Sequence, residues 1–325
     1  MINIPLVTVI IPTFNRANYI RRSINSVKNQ TYKNIELIVV DDGSTDNTLE
    51  IVNEFKDIIY IYKPNGRQAS ARNLGLNSAN GDYVATLDSD DYWYPNFIEE
   101  SIAQFTNFDF DFDFVFANKI VEDENGNKRE VFSKSDWCSK YYNSKEFLDK
   151  TWVNLSGKDA RDIFTKTCPA PSSALLFKKS SISHKWDEKL DVADDWDFIL
   201  ALLVSKECHI AFCKKPLWRK YIVGDNIYES LTSEAKTKTV IFKDLNYILT
   251  KNSAKYSKSE KSNIQNLQIT AIVPLSINNL VNFNLKEFAN LFTTSLKINS
   301  SLTIKRLTTL LYIKILKRLT RVYNK

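Results

Sequence analysis

Tyr83-Val84-Ala85-Thr86-Leu87-Asp88-Ser89-Asp90-Asp91 is the stretch on which the reading of this chain turns. An apolar run stops abruptly and three carboxylates follow within four residues. Asp88 and Asp90 are two apart, so in extended chain their side chains point the same way. With Asp91 adjacent, the charges repel one another and raise at least one pKa. A divalent cation relieves that repulsion. Hard oxygen ligands suit magnesium or manganese, which bind phosphate oxygens as well. Taken alone, such a pair reads more readily as a solvated loop with an Asp helix cap. The neighbouring sequence turns the balance toward a site.

Leu6 to Ile11 is a continuous apolar run, the pattern of a strand buried on both faces, and Pro12-Thr13-Phe14-Asn15-Arg16 ends it. Ile20, Ile24 and Val27 then fall on one helical face. Ile35 to Val40 reads as a second buried strand, closed by Asp41-Asp42-Gly43-Ser44. Ser44 or Thr45 is expected to cap a helix packed through Leu49, Ile51, Val52 and Phe55. A strand at Ile58 to Tyr62, a turn at Pro64-Asn65-Gly66, a helix over Ser70 to Ser78 and a strand at Tyr83 to Leu87 follow. This alternation predicts an α/β fold with a mostly parallel sheet and right-handed crossovers. Ligands of such sheets bind outside the carboxyl ends of the strands. The polar clusters Thr13 to Arg16, Asp41 and Asp42, and Asp88 to Asp91 all fall at such ends.

Phe108 to Phe116 alternates Phe and Asp, as a half-buried strand with a solvated acidic face would. Ser133 to Thr167 is expected to hold helices, Ala174 to Phe177 a strand, and His209 to Phe212 another. Between the last two, Asp194-Asp195-Trp196-Asp197 puts carboxylates at a helix start, where the macrodipole favours them. Trp218-Arg219-Lys220-Tyr221 carries two cations. From Ser233 the pattern becomes helical, so the expected organisation is a domain over 1–232 and a helical region over 233–325.

Charge is unevenly spread over the 325 residues, whose net value is +6. No acidic residue follows Glu287, whereas eight of the 44 basic residues do, leaving 36 basic against 38 acidic residues in the body. The basicity therefore belongs to the tail, and no nucleic-acid partner is expected. In Leu302 to Val322 an arc of Ile304, Leu311, Tyr312, Ile315, Leu316, Leu319 and Val322 opposes one of Lys314, Lys317, Arg321 and Lys325. Such a helix fits an anionic membrane surface, or equally a pack against its own domain with a solvated basic face. Cys138, Cys168, Cys208 and Cys213 form no C-x-x-C, and only His184 and His209 supply imidazole, so reduced thiols and non-histidine chemistry are expected. No apolar stretch reaches the roughly 20 residues of a membrane span. The expected location is cytoplasmic, with the tail allowing a peripheral place on the inner face of the cell membrane.

Val9-Ile10-Ile11-Pro12-Thr13-Phe14-Asn15-Arg16, Val40-Asp41-Asp42-Gly43-Ser44-Thr45-Asp46, Ala71-Arg72-Asn73-Leu74-Gly75 and Leu87-Asp88-Ser89-Asp90-Asp91 resemble, in order and spacing, the family-two glycosyltransferases of the GT-A fold. The resemblance covers roughly the first 225 residues. It implies a Rossmann-like sheet flanked by helices and an inverting transfer from a nucleotide-sugar, most often a UDP-sugar. The acceptor implied is a hydroxyl of a glycan or lipid-linked glycan in bacterial-type surface polysaccharide synthesis. Pro12, Thr13, Phe14, Asn15, Arg16, Asp42 and Arg72 would surround the nucleotide, with Asp42 accepting from the base ring. Asp88 would sit at ribose and metal, and Asp90 would ligate Mn2+ or Mg2+, which offsets charge on the leaving diphosphate.

The family's Glu-Asp pair at a helix start corresponds here to Asp194-Asp195, implying Asp195 as general base and Asp194 as its support or an acceptor-positioning group. Its Tyr-Arg-x-His corresponds to Trp218-Arg219-Lys220-Tyr221, so Tyr221 stands where the imidazole would be, while Arg219 and Lys220 keep cations for phosphate. Two other functions stay open on these residues. One is a nucleotide-sugar-binding scaffold without activity; the other, a phosphohydrolase, fits less well because three strands precede the motif.

Overall fold

Val7, Val9, Ile10 and Ile11 expose no surface, as a β-branched run covered on both faces requires. The computed structural model describes residues 4–107, 111–132, 135–142, 151–222, 234–282 and 284–323. Its elements begin with β1 (Val7–Thr13), α1 (Ile20–Lys28), β2 (Ile35–Asp41), α2 (Thr48–Asn53), β3 (Ile59–Tyr62), α3 (Arg67–Ser78) and β4 (Tyr83–Thr86). Then come β5 (Tyr92–Trp93), α4 (Phe97–Asn107), β6 (Phe114–Glu122), β7 (Lys128–Glu130), α5 (Asp136–Tyr142), β8 (Trp152–Ser156) and α6 (Gly157–Lys166). The series closes with β9 (Leu175–Lys178), α7 (Asp194–Ser205), β10 (His209–Tyr221), α8 (Glu234–Lys251), α9 (Lys258–Val281) and α10 (Leu285–Tyr323).

The strands form one sheet in the order β3-β2-β1-β4-β9-β6-β10-β5, with β7 on β6 and β8 on β10. β3, β2, β1 and β4 pair in parallel, and β6 pairs in parallel with β10. β9 runs antiparallel to both β4 and β6, so β6 and β10 share the direction of β1 and β4. The carboxyl ends of β1, β2, β4, β6 and β10 therefore lie along one edge. That edge is where the sequence put its polar clusters.

α3 covers one face of the first half-sheet, with Ala71 and Leu74 packed against Ile10, Ile38, Val40 and Val84. The contact is close because Gly75 lies against β1: a Cβ there would come within 2.5 Å of Ile10 Cγ2.

Several expectations need correction. Leu49 does not pack, being 44% exposed, and α2 is held by buried Thr48 and Val52. Neither Ser44 nor Thr45 caps α2; Asp46 Oδ1 accepts from Thr48 N at 3.1 Å instead. The segment 108–110 lies outside the described residues, and the strand itself starts at Phe114. Asp111 is exposed, as a solvated face would have it, but Asp113 is not part of such a face: it is buried against Lys206, Ser181 and the His209 N–H. The stretch expected to be helical contains β8 between its helices, paired with β10. β10 also runs on through Pro216 to Tyr221, tolerating the proline by register shifts on either side of it.

The chain divides into two compact units. The first is Met1–Phe164, Cys168–Leu190 and Asp194–Asn226; the second is Thr165–Thr167, Asp191–Ala193 and Ile227–Lys325. Within the second, Ile269, Ile272, Val273 and Ile277 of α9 form a core with Phe242, Leu291, Ile298, Leu302, Leu307 and Leu310. Ser257 and Glu260 close a reciprocal cap on α9. α10 breaks at Asn299 (φ −162°), whose Oδ1 accepts from Leu302 N at 3.0 Å and restarts the helix. Ile304, on the arc opposite the basic residues, is exposed. No described helix is long and apolar enough to cross a membrane.

Gly75→Ala is expected to lower stability by about 1–3 kcal/mol, because the methyl must displace a fully packed Ile10. Thermal denaturation checks this; an unchanged midpoint would mean that α3 can lift off β1 without cost.

Candidate active site

The loops after β1 and β2 are tied together by side chain to main chain bonds. Asn15 adopts a left-handed conformation (φ 51°), tolerable for Asn. Its N–H donates to Ser44 Oγ at 2.9 Å and its Oδ1 accepts from Thr45 N at 2.8 Å. Arg16 N donates to Thr48 Oγ1 at 3.1 Å and Ala17 N to Asp46 Oδ2 at 3.0 Å. Pro12 and Thr13 are buried at the end of β1, whereas Phe14 is exposed beside them. Asp42 N donates to Thr13 O at 2.8 Å. The Asp42 carboxylate, expected to meet a base ring, accepts from Gly66 N at 2.9 Å and pairs with Lys63.

The carboxylate turn after β4 is clamped on all sides. Asp91 N returns to Asp88 O at 3.0 Å. From α1, Ser23 Oγ lies 2.8 Å from both Ser89 O and Asp91 O, and Arg22 Nη2 donates to Asp90 O at 2.7 Å. Ser173, in a short 3-10 turn before β9, accepts from Asp88 N at 3.0 Å and donates to Asp91 Oδ2 at 2.6 Å. Burial and the Asp88 charge raise the Asp90 pKa, while Lys220 and Arg16, whose Nε is 4.0 Å away, partly offset them. Burial likewise pushes Asp91 up to about 7.

The pair at the start of α7 splits. Asp194 is wholly buried and bound by Arg72 and Gln68, whereas Asp195 is only half-buried. Arg72 also reaches Asp88 Oδ1 at 2.8 Å, so one buried guanidinium joins α3, the carboxylate turn and α7. Burial works against the Arg72 charge, but Asp194, Asp88 and Asp195 outweigh it and raise its pKa. Asp195 accepts from Trp196 N at 2.7 Å and Ser172 N at 3.2 Å. Burial and the neighbouring Asp194 charge push its pKa up to about 6, against the pull of Arg72.

On β10, Arg219 and Lys220 point to opposite faces. Arg219 is engaged by Glu122 at 2.8 Å and by the hydroxyls of Tyr94 and Tyr221. The Tyr221 ring lies 3.5 Å from the Arg22 guanidinium, so it supports the arginine that holds Asp90 O. Lys220 sits in the field of Asp91, Asp88, Asp90 and Asp195, which raises its pKa against the effect of burial. Sequence reasoning missed Lys119, Gln68, Ser173 and Arg22. Lys119 lies on β6 at the same carboxyl edge, and the edge rule alone was signal enough to find it.

No group of three or more His, Cys, Asp or Glu side chains able to hold a metal occurs among the described residues. Asp88 and Asp90 nonetheless offer two hard oxygen donors, the number that Mg2+ or Mn2+ takes from a protein when phosphates and waters complete its shell.

Residues 8–163 match the model of glycosyl transferase family 2. Chondroitin synthase of Pasteurella multocida is 30% identical over 73% of this chain and 23% of its own length. Against curated glycosyltransferases of Rickettsia the chain spans 57% of their length. Among solved structures, TarS 1-349 of S. aureus in complex with UDP-GlcNAc shares 20% identity at a TM-score of 0.56, over 91% of both chains. A mannosyltransferase from Pyrobaculum calidifontis in complex with GDP-Man and Mn2+ shares 15% identity at 0.57, covering 96% of this chain and 81% of its own. The fold is that of the GT-A glycosyltransferases. Residues 8–163 therefore carry a domain of glycosyl transferase family 2.

Arg72→Ala would leave Asp194 buried without its counter-charge, at an expected cost of about 3–5 kcal/mol in urea denaturation. Adding Asp194→Asn should recover part of that loss. Strict additivity of the two substitutions would show that they do not share an interaction.

Proposed function

We propose that the chain transfers a sugar with inversion from a UDP-sugar to a hydroxyl of a glycan or lipid-linked glycan, in the synthesis of a bacterial surface polysaccharide. The observation that carries this is the split of the α7 pair. Asp194 is spent on Arg72, and Asp195 beside it stays accessible with a raised pKa, on the same edge as the carboxylate turn. A base for a sugar hydroxyl needs to be ionised, aimed and within reach. Asp195 meets the first condition above about pH 6, and its hydrogen bonds from Ser172 N and Trp196 N fix its direction.

Thr13 to Arg16, Asp42 and Arg72 belong, on this proposal, to the nucleotide side, and Lys220 supplies a cation for the diphosphate. Arg72 acts by fixing Asp88 relative to α7. Asp90, with Asp88, would hold Mn2+ or Mg2+, which when bound supplies charge neutralisation to the departing diphosphate. Asp195 takes the proton from the acceptor oxygen as that oxygen bonds to the anomeric carbon and the diphosphate leaves. The Asp194–Arg72 pair keeps a second negative charge from competing for that proton.

Asp195→Asn should cut turnover by a factor of roughly 100 to 10,000 and leave donor affinity nearly unchanged. A mere helix cap would survive this change, because Asn caps about as well as Asp. In the unaltered enzyme, turnover should rise about tenfold per pH unit below 6 and level off above it, since the base works only when deprotonated. Wild-type turnover in the Asn variant, or a flat profile through pH 6, would remove Asp195 from the role.

The basic tail is proposed to hold the protein at an anionic membrane surface. Supporting this, Leu302, Leu307 and Leu310 face the second unit's core while Ile304 stays exposed. Each basic residue near such a surface contributes about 1 kcal/mol, so vesicle binding should require anionic lipid and be released by salt. Equal binding to neutral vesicles would contradict it.

A further inference from the structure

Two adjacent buried residues, Ser172 and Ser173, touch both sides of the proposed reaction. With Ala174 they form the short 3-10 turn before β9, closed by Ala174 N on Pro171 O at 2.8 Å. Toward the carboxylate turn, Ser173 Oγ accepts from Asp88 N at 3.0 Å and donates to Asp91 Oδ2 at 2.6 Å. Toward α7, Ser172 N donates to Asp195 Oδ2 at 3.2 Å. A planar peptide and the few bonds flanking it separate the two sets of contacts, so a shift in one carries the other with it. The sheet holds that peptide in place. Ser172 O accepts from Thr86 Oγ1 of β4 at 2.9 Å, and Ser173 O from Trp93 Nε1 of β5 at 2.7 Å.

Other bonds at this edge do not duplicate the link. Asp195 Oδ1 accepts from Trp196 N at 2.7 Å, but that N–H belongs to α7 and moves with it. It sets the rotamer of the carboxylate, whereas Ser172 N, from outside the helix, sets its place against the rest of the edge. Asp91 Oδ1 is buried with no hydrogen-bond partner among the described residues, so the Ser173 hydroxyl serves the one oxygen of that carboxylate that has a partner. Arg72 also bridges the carboxylate turn and α7, but it ends on Asp194. The serine pair ends on Asp195 itself.

Resting on the glycosyl-transfer reading above, we propose that Ser173 is a positioning residue: through the peptide it shares with Ser172, it fixes the carboxylate turn that holds the sugar donor at a set distance from the base Asp195. A sugar hung from a diphosphate on the turn presents its anomeric carbon at a place decided by the turn. The acceptor oxygen is presented at a place decided by Asp195. Attack demands that the two meet within about 3–3.5 Å, and an error of about 1 Å can cost a hundredfold in rate. A hydroxyl bonded to one side and joined by one peptide to the other holds that distance without touching either substrate.

The test follows the Asp195 carboxyl carbon by NMR in 13C-aspartate-labelled protein, with the signal assigned by its absence from Asp195→Asn. Calorimetry reports the binding of UDP with Mg2+, and thermal denaturation reports the fold. The unaltered chain should bind UDP with Mg2+, and Asp195 should titrate near the value of about 6 given above. The Ser172 N–H bond favours the ionised carboxylate, so loosening the turn must raise that midpoint. Ser173→Ala should raise it by about one pH unit, the weight of one hydrogen bond to a charged group, and weaken UDP binding roughly three- to tenfold. Thr86→Val removes the tether to Ser172 O without touching either carboxylate, and it should raise the Asp195 midpoint in the same direction. A lowered melting midpoint with UDP affinity and Asp195 both unmoved would make Ser173 a packing residue and overturn the proposal. Movement of only one of the two in Ser173→Ala would overturn the coupling. An unmoved Asp195 in Thr86→Val also overturns it, and decides the matter if Ser173→Ala does not fold. Failure of the unaltered chain to bind UDP with Mg2+ would remove the sugar donor from the turn and the proposal with it, and this failure shows before any substitution is made.

Discussion

The buried Arg72 guanidinium is the interaction on which the rest of the edge depends. It reaches Asp88 from one side and Asp194 from the other, and so fixes a strand end, a helix and the start of another helix relative to each other. An ionised carboxylate with no exposure, such as Asp194, persists only when paired and hydrogen-bonded. Because Arg72 and Gln68 satisfy Asp194, the next residue is released from that duty. One step along a helix turns the side chain by about 100°. Of two neighbours that look equivalent in the sequence, one is thereby taken up by anchoring and the other is left for the proposed chemistry.

The carboxylate turn owes its shape to groups outside it. Ser23 and Arg22 hold its carbonyls, Ser173 holds Asp88 N and Asp91, and Trp93 Nε1 donates to Ser173 O at 2.7 Å. Three repelling carboxylates are thus kept together by main-chain and hydroxyl contacts before any cation arrives. Such preorganisation lets a site bind charge without first paying to reorganise. Tyr221 supports the turn through Arg22, whose guanidinium lies over its ring.

Much of the first half-sheet was legible because its strands are buried on both faces and so leave unbroken apolar runs, as at Val9 to Ile11 and Leu37 to Val40. The edge that gathers the polar clusters followed from the direction of those strands. Less legible were features set by tertiary contacts. Leu49 looked like a packing residue, yet α2 buries Thr48, whose hydroxyl is recruited by Arg16 N. Pro216 argued against a strand, but β10 absorbs it with register shifts. Asp113 read as solvated because its partners, Lys206, Ser181 and the His209 N–H, lie about 70 to 100 residues away. A still longer separation, 122 residues, hid the partnership of Arg72 with Asp194, so the arginine read as a nucleotide contact alone.

The central claim is that the carboxylate turn and the start of α7 serve opposite sides of one reaction. A crystal structure of the chain with UDP and Mn2+ bound tests it most directly. The account predicts the metal on Asp90 and Asp88 with the diphosphate upon it, the uracil beside Asp42, and Asp195 free of the nucleotide, facing where the sugar would lie. A diphosphate seated away from Asp88 to Asp91, or one in contact with Asp195, would contradict it.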